Sequence, residues 1–397
     1  VSESVRGGYA DGGGNCIRLS CVDSDEDGVP DCGGESDLDL FVPSEYATIA
    51  AAIDAAANGG VITVAAGTYQ EGIPLDTLGK AVTIRGAVDG DGVPTTILDG
   101  QDTHRLLQCV NGEGADTVFE NLHIFDGLAE SGAGGGGGML VLDSSPTLRN
   151  CVFESNYSDY GNGGGLRCTN SNVVLEGCFF KNNYGNRGHG GGLYCFGRPT
   201  ILGCVFEGNE SYDTSGGAIF LDDDASGIGG VITVSDCVFT GNICHTGGDY
   251  GGAIYANIHA RLVLAGCDFT ANTTDSDAGA VYVNDDGNAG HVIDECTFAS
   301  NSSAGSGGAV RLADGVGNVV SNCVFESNTA GGVGGGLYLT NGNSVSVSSC
   351  VISGNAADQG GGVYFDTSNA VMSGTVLCGN VSESVRGGYA DGGGNCI

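Results

Sequence analysis

An acidic stretch near the start of the chain, CVDSDEDGVPDC at residues 21–32, has the residue types and spacing of a calcium-binding loop. Carboxylates alternate along it, a Gly permits the sharp turn, and one backbone carbonyl stands where such loops use it as a ligand. We therefore predict a Ca²⁺ site with the ligands Asp23, Asp25, Asp27, Val29 (through its carbonyl) and Asp31. A Gly replaces the bidentate Glu of a full EF-hand, so a solvated acidic linker is the alternative.

Catalytic residues are harder to find, and the sequence predicts none. Asp222, Asp223 and Asp224 are adjacent, but carboxylates in acid-rich loops are usually surface groups. Lys and Arg total 13, which leaves few candidates for the base of a lyase, and Trp is absent, which weakens stacking on sugars, although 14 Tyr remain. We therefore expect a protein without enzymatic activity. A secreted polysaccharide-acting lyase or hydrolase is the alternative, with its cleft at the long coil of residues 216–250.

The charge balance restricts the partners. The chain has 48 Asp and Glu against 13 Lys and Arg, a net charge of −35. Nucleic acid and anionic membrane both require a basic surface, so neither is expected as a partner. No apolar run is long enough to cross a bilayer, so no membrane insertion is expected.

Short repeats are present in the sequence from about residue 132 onward. A GGAI-like motif recurs, mostly every 26 to 29 residues, and alternates with Cys-x-Phe-x-x-Asn. Cys and Phe at i and i+2 lie on one face of a strand, and Gly, Asn, Asp and Ser between the apolar runs predict turns. A unit this small buries its apolar face only by stacking on its neighbours. The repeats predict an all-β fold, a right-handed three-sided parallel β-helix with columns of Cys, Phe and Asn. The recurrent Asn is residue 156, 183, 209, 242, 272, 301, 328 and 355.

The N-terminal third has a different pattern. Residues 46–57 have helical apolar spacing between a Ser and a Gly pair. A short helix there would cover the open end of the solenoid, which otherwise exposes an edge and an apolar core.

The GGAI and Phe-x-x-Asn repeats and the segment AIDAAANGGVITVAAGTYQE resemble the right-handed parallel β-helix superfamily, the pectin-lyase-like fold. The repeats are similar to those of polymorphic outer-membrane and adhesin-type proteins, and the acidic loop is similar to thrombospondin type-3 loops. GTYQE and GQDTH resemble elements of pectin methylesterases, but the rest of that pattern is missing, so we interpret both as fold residues. The resemblance implies the fold and leaves the function open, because lyases, hydrolases and adhesins share it.

The chain has 17 Cys, eight of them in one predicted column. Buried free thiols are the first interpretation, because parallel side chains on adjacent coils fit disulfide geometry poorly. Disulfides between adjacent coils are the alternative. Cys21 and Cys32 could also close the acidic loop.

Residues 1–17 and 381–397 are identical, VSESVRGGYADGGGNCI. The duplication predicts a tandem array, in which residues 1–20 end a preceding repeat and 21–36 form the calcium linker. Residues 42–380 would then form the β-helix, and 381–397 its last coil or the start of the next linker. We expect a structural module of an extracellular filament, stalk or surface-layer-like protein, with copies of itself as partners. A carbohydrate-binding adhesin module, with surface polysaccharide as partner, stays open.

Overall fold

The protein is described by a computed structural model that covers residues 38–223, 230–245, 250–285, 290–340 and 343–397. These residues form one helix and 44 short strands. The helix is α1 (Ile49–Ala55). The strands are, in chain order, β1 (Asp39–Val42), β2 (Val61–Val64), β3 (Gly67–Tyr69), β4 (Leu75–Asp76), β5 (Thr83–Gly86), β6 (Thr96–Asp99), β7 (Leu107–Cys109), β8 (Val118–Glu120), β9 (Leu122–Phe125), β10 (Leu128–Ala129), β11 (Met139–Leu142), β12 (Thr147–Arg149), β13 (Val152–Glu154), β14 (Tyr157–Asp159), β15 (Leu166–Ser171), β16 (Val174–Glu176), β17 (Phe179–Lys181), β18 (Tyr184–Asn186), β19 (Leu193–Gly197), β20 (Thr200–Leu202), β21 (Val205–Glu207), β22 (Glu210–Tyr212), β23 (Ile219–Asp222), β24 (Val231–Ser235), β25 (Val238–Thr240), β26 (Ile243–His245), β27 (Ile254–Asn257), β28 (Arg261–Ala265), β29 (Asp268–Thr270), β30 (Thr273–Thr274), β31 (Val281–Asp285), β32 (Val292–Asp294), β33 (Thr297–Ala299), β34 (Ser302–Ser303), β35 (Val310–Asp314), β36 (Val316–Ser321), β37 (Val324–Glu326), β38 (Thr329–Ala330), β39 (Leu337–Thr340), β40 (Asn343–Ser348), β41 (Val351–Ser353), β42 (Val363–Ser373), β43 (Val376–Cys378) and β44 (Val385–Asp391).

The strands form three parallel sheets along a solenoid, two of them over its whole length and the third from β10 to β38. The sheets contain 24, 8 and 12 strands, and each strand pairs with the equivalent strand of the next coil. The predicted parallel β-helix is therefore confirmed. None of the described residues forms a helix long and apolar enough to span a membrane.

Identical residues stack in columns inside the solenoid, because the pairing keeps one register from coil to coil. The inward Phe rings of successive coils are parallel, with centroids 4.6–4.9 Å apart. They are fully buried, as are the Cys that stand two residues before them. The alternating pattern in the sequence thus corresponds to an inward and an outward face of each strand.

The Asn column is also buried and forms a continuous amide ladder. Each side-chain Nδ2 donates to the Oδ1 of the Asn one coil further on, over 2.8–3.0 Å. The same nitrogen also donates to a backbone carbonyl of the preceding coil, as Asn183 does to Phe153 over 2.8 Å. Buried polar groups destabilise a fold unless they are paired, and here every amide is paired.

Fourteen of the cysteines are among the described residues, and all of them carry free thiols. Twelve are buried, and Cys378 and Cys396 are exposed. Several buried thiols donate to backbone carbonyls, as Cys178 does to Leu148 over 3.5 Å. Burial raises the pKa of Cys109 far above that of a free thiol. Cys21 and Cys32 lie outside the described residues.

Helix α1 covers the N-terminal end of the solenoid with Ile49, Ala52 and Ile53, which are buried. It is shorter than the predicted span of 46–57 because Thr48 is its N-cap, whose Oγ1 accepts a hydrogen bond from the Ala51 amide over 3.1 Å. At the other end the Lys80 ammonium donates to the carbonyl of Ile53 over 2.7 Å.

The last coil of the solenoid comes from the duplicated segment. Strand β44 pairs with β42, and the Leu377 amide donates to the Cys396 carbonyl over 2.7 Å. Asn380 extends the amide ladder by accepting from Asn355 over 3.0 Å. Residues 381–397 therefore continue the same stacking pattern as the coils before them.

Candidate active site

The predicted calcium ligands, Asp23, Asp25, Asp27, Val29 and Asp31, all lie outside the described residues. The calcium site therefore stays a prediction. Within the residues that the structure does describe, no three His, Cys, Asp or Glu side chains are close enough together to hold a metal ion.

A groove of about 670 Å³ lies on the outside of the first coils. We call it the acidic groove. It is lined by Asp102, Asp126, Leu128, Glu130, Ser131, Tyr157 and Asp159. Four of these residues are carboxylic acids, and none is Lys or Arg, so the groove is a site for acid–base chemistry or for a ligand without negative charge.

Asp102 and Asp126 are brought together by the turns that follow β6 and β9. The Asp102 amide donates to the Asp126 carbonyl over 2.8 Å, so the two residues occupy adjacent coils. Both have left-handed backbone conformations, with φ of 51° and 56°. Asp tolerates this region better than most residues, because its short side chain bonds locally to the backbone. The turn geometry thus directs two carboxyl groups into one groove.

The environment of Asp126 favours its protonated form. Burial raises the pKa of Asp126, and the negative charges of Asp102 and Asp99 raise it further. A carboxyl group beside a second carboxylate retains its proton to higher pH because two like charges repel each other. Glycosidic bond hydrolysis usually uses two carboxyl groups, one that donates a proton and one that is ionised.

The far side of the groove carries Glu130 and Asp159. Strands β10 and β14 pair Leu128 with Tyr157 and Ala129 with Ser158, which places Glu130 next to Asp159 at the end of this register. The Asn186 amide donates to one oxygen of Asp159 over 2.7 Å and fixes the orientation of this carboxyl group.

The floor between the two acidic sides is apolar. It consists of Leu128 and Tyr157, and the ring of Tyr157 stacks on Tyr184 with centroids 5.5 Å apart. Burial and the neighbouring Asp159 raise the pKa of Tyr157, so its hydroxyl remains a hydrogen-bond donor. An aromatic floor bordered by hydrogen-bonding groups suits a sugar ring, which has apolar faces and a polar edge.

The acidic residues that the sequence singled out lie elsewhere. Asp222 accepts from the Asn257 amide over 3.4 Å, and buried Asp223 lies 3.9 Å from Arg198 and 3.4 Å from His259. Both therefore contact residues of the neighbouring coils, and Asp224 is outside the described residues. The expected cleft at residues 216–250 is thus not where the acidic groove lies.

Sequence reasoning missed Asp126 and Asp159 and assigned Asp102, within GQDTH, to the fold. The three residues come from separate coils and share no local motif. Asp102 and Asp126 share one place in the repeat, the turn after a strand of the 12-stranded sheet, whereas Asp159 ends strand β14 of the 8-stranded sheet.

The Right handed beta helix region family matches residues 107–289 and 265–394, most of the chain. The chain belongs to the right-handed β-helix family. Its structure is similar to the catalytic unit of a thermostable GH87 alpha-1,3-glucanase from Streptomyces thermodiastaticus strain HF3-3. The sequences are 13% identical, with a TM-score of 0.51, over 92% of this chain and 70% of that one. No curated protein matches the sequence.

The expectation of a protein without enzymatic activity is wrong in the light of this likeness, because the same fold serves as a catalytic unit. A groove forms at the outer surface of this β-helix protein although most of its coils are short. At this identity the comparison itself shows the fold alone. The likeness of the repeats to adhesin-type proteins, and of the acidic loop to thrombospondin loops, is not part of either match.

Proposed function

We propose that this β-helix protein is a polysaccharide hydrolase that works by general acid and base catalysis in the acidic groove. One observation carries the proposal. Asp102 and Asp126 lie on adjacent coils in a groove with an aromatic floor, and the pKa of Asp126 is raised. The structural likeness to a glucanase catalytic unit is in accord with this assignment.

In the proposed reaction Asp126 is the acid. It donates its proton to the glycosidic oxygen as the bond between that oxygen and the anomeric carbon breaks. Asp102, as a carboxylate, takes a proton from water as the water oxygen bonds to the anomeric carbon. The products are two shorter glycans with free hydroxyl groups, and one water is consumed.

The charge of the groove indicates the class of substrate. Four carboxyl groups and no cation line it, so a uronan would be repelled, and a lyase would lack the cation that neutralises a uronate. A neutral or amino-sugar polysaccharide fits the groove better. Many such polymers are extracellular or part of cell walls, and we propose an extracellular location for the protein.

The test is a panel of soluble polysaccharides, comprising neutral α- and β-glucans, chitosan and pectate, with reducing ends as the readout. We expect hydrolysis of at least one uncharged or amino-sugar polymer and none of pectate. Asp126→Asn should lower kcat by about a hundredfold or more, since it removes the acid. Asp268→Asn, an exposed acid on β29 several coils away from the groove, is the matched control. Equal activity of the two variants, or cleavage of pectate alone, would contradict the proposal.

The duplicated segment supports a second proposal about organisation. Residues 381–397 form a coil, and the identical residues 1–17 have the sequence to form the same coil in a preceding unit. We propose that the protein repeats in tandem, with the calcium loop of residues 21–36 as linker, so that an array would present many grooves along one filament. The mass of the natural polypeptide under reducing conditions tests this. A mass of one unit would contradict it.

A further inference from the structure

One wall of the acidic groove is a loop that differs from its equivalents in later coils. The connection between β10 and β11 has nine residues, 130–138, whereas the next two coils use six, 160–165 and 187–192. Its first two residues, Glu130 and Ser131, line the groove. The extra length therefore occurs where the protein faces the proposed substrate.

The loop is held by two arginines, one from each adjacent coil. Arg105, from the coil that carries Asp102, donates to the carbonyls of Ala133, Gly135 and Gly136 over 2.8, 2.6 and 2.9 Å. Arg167 reaches back from β15 in the following coil and donates to the Gly134 carbonyl. Four successive carbonyls are thus bound by two guanidinium groups.

These arginines are unusual in a protein of net charge −35, because neither forms an ion pair with a carboxylate among the described residues. Burial and the charge of Arg167 lower the pKa of Arg105 to about 10, which still leaves it charged at neutral pH. Placing two cations side by side is unfavourable, and the loop carbonyls compensate for it. The two guanidinium groups therefore bind the loop carbonyls and not carboxylates.

The backbone of the loop depends on this arrangement. Gly134, Gly135 and Gly136 all have left-handed backbones, with φ of 83°, 95° and 71°. A Cβ on Gly135 would lie 2.0 Å from the Asn162 carbonyl oxygen, so the loop is pressed against the next coil. A flexible glycine run keeps one conformation only if other groups hold it, because glycine loses more entropy on ordering than any other residue.

We propose that Arg105 and Arg167 are positioning residues that hold residues 130–138 as the wall of the acidic groove and so determine binding of the longer substrate chains. The proposal rests on the proposed hydrolase function for its kinetic part. Neither arginine touches the reacting atoms; both act through Glu130 and Ser131. Lys cannot replace the planar fork that binds two carbonyls at once, so Arg→Lys keeps the charge and removes the geometry.

The first measurement is amide hydrogen exchange in the full chain, which needs no substrate. Arg105→Lys and Arg167→Lys should speed exchange in residues 131–136 by about tenfold or more relative to the natural protein, because lost carbonyl bonds release the loop. Exchange in the β17 segment, Phe179–Lys181, reports whether the fold is retained. Arg149→Lys, at an exposed pair with Glu176, is the matched control. Unchanged exchange in the loop would contradict the proposal that Arg105 and Arg167 hold residues 130–138.

The second measurement uses the hydrolysed polysaccharide and a short aryl glycoside of the same sugar. Both Arg→Lys variants should raise KM for the polymer by about tenfold with a smaller change in kcat, and affect the short substrate less. An equal rise in KM for the long and the short substrate, or a change in kcat alone, would contradict a role of the two arginines in binding the longer chain. If the natural protein hydrolyses nothing, the proposed function fails. Hydrogen exchange still shows whether the two arginines hold residues 130–138.

Discussion

At Asp126 the surroundings act against ionisation, whereas more than half of the acids whose exposure the structure describes lie exposed to solvent. Burial has the largest effect on its pKa, followed by the charges of Asp102 and Asp99. The Asp99 carboxylate accepts from the Gln70 side chain over 2.8 Å, which keeps it beside the turn. A single residue thus depends on three neighbouring segments for its chemistry.

The pH dependence of hydrolysis should report this environment. An acid catalyst works only while protonated, so a raised pKa extends activity to higher pH, and activity falls as the pH passes through that pKa. Asp99→Asn removes one of the charges that raise the pKa of Asp126, so the alkaline limb of kcat/KM should move to lower pH. Profiles of both proteins check this. A limb that stays in place would show that Asp126 is not the titrating acid.

A second prediction at this scale concerns the amide ladder. Asn242→Ala removes the bonds that its side chain donates to Asn272 and to the Phe206 carbonyl, and it takes the acceptor away from the backbone amide and one side-chain hydrogen of buried Asn209. We expect a loss of about 3 kcal/mol or more in the free energy of unfolding. Asn284→Ala, in the half-exposed pair with Asn257, should cost much less because water replaces the bond. Denaturant titrations of both variants provide the comparison.

At the scale of elements, the sequence determines the coils more fully than the groove. The Cys-x-Phe-x-x-Asn motif was enough to predict the strands, their inward faces and the Asn column, because all three follow from strand periodicity. The predicted span of helix α1 is five residues too long, three at the N-terminal side, where Thr48 is the cap, and two at the C-terminal end, where Ala56 is the cap. Asp102, Asp126 and Asp159 could not be brought together without the register that pairs separate coils.

Adjacent aromatic residues allow a matched test of the coil core. Phe180 is fully buried and stacks between Phe153 and Phe206, whereas Phe179 points outward and is half-buried. Phe180→Ala should lower the free energy of unfolding by about 3–5 kcal/mol, because it leaves a cavity in the column. Phe179→Ala should cost about 1 kcal/mol. Similar losses in both variants would contradict the assignment of faces.

At the scale of the whole molecule, charge is the most distinctive property. A net charge of −35 over a rod of stacked coils repels itself, and dissolved salt screens that repulsion. We therefore expect Tm to rise by about 3 °C or more between roughly 0.01 and 0.5 M NaCl. Scanning calorimetry in NaCl, with an uncharged osmolyte as control, measures this. A Tm that falls or stays constant with salt would contradict it.

The Asn ladder gives the molecule a direction. Every side-chain amide from Asn156 to Asn355 donates forward and accepts from behind, so their dipoles add head to tail, as peptide dipoles do in a helix. Amide oxygens point toward the N-terminal end, where the acidic groove lies, and one hydrogen of each amide points toward β44 while the other bonds to a carbonyl of the preceding coil. The solenoid is therefore an electrically polar rod, whose two ends differ in field although its coils repeat.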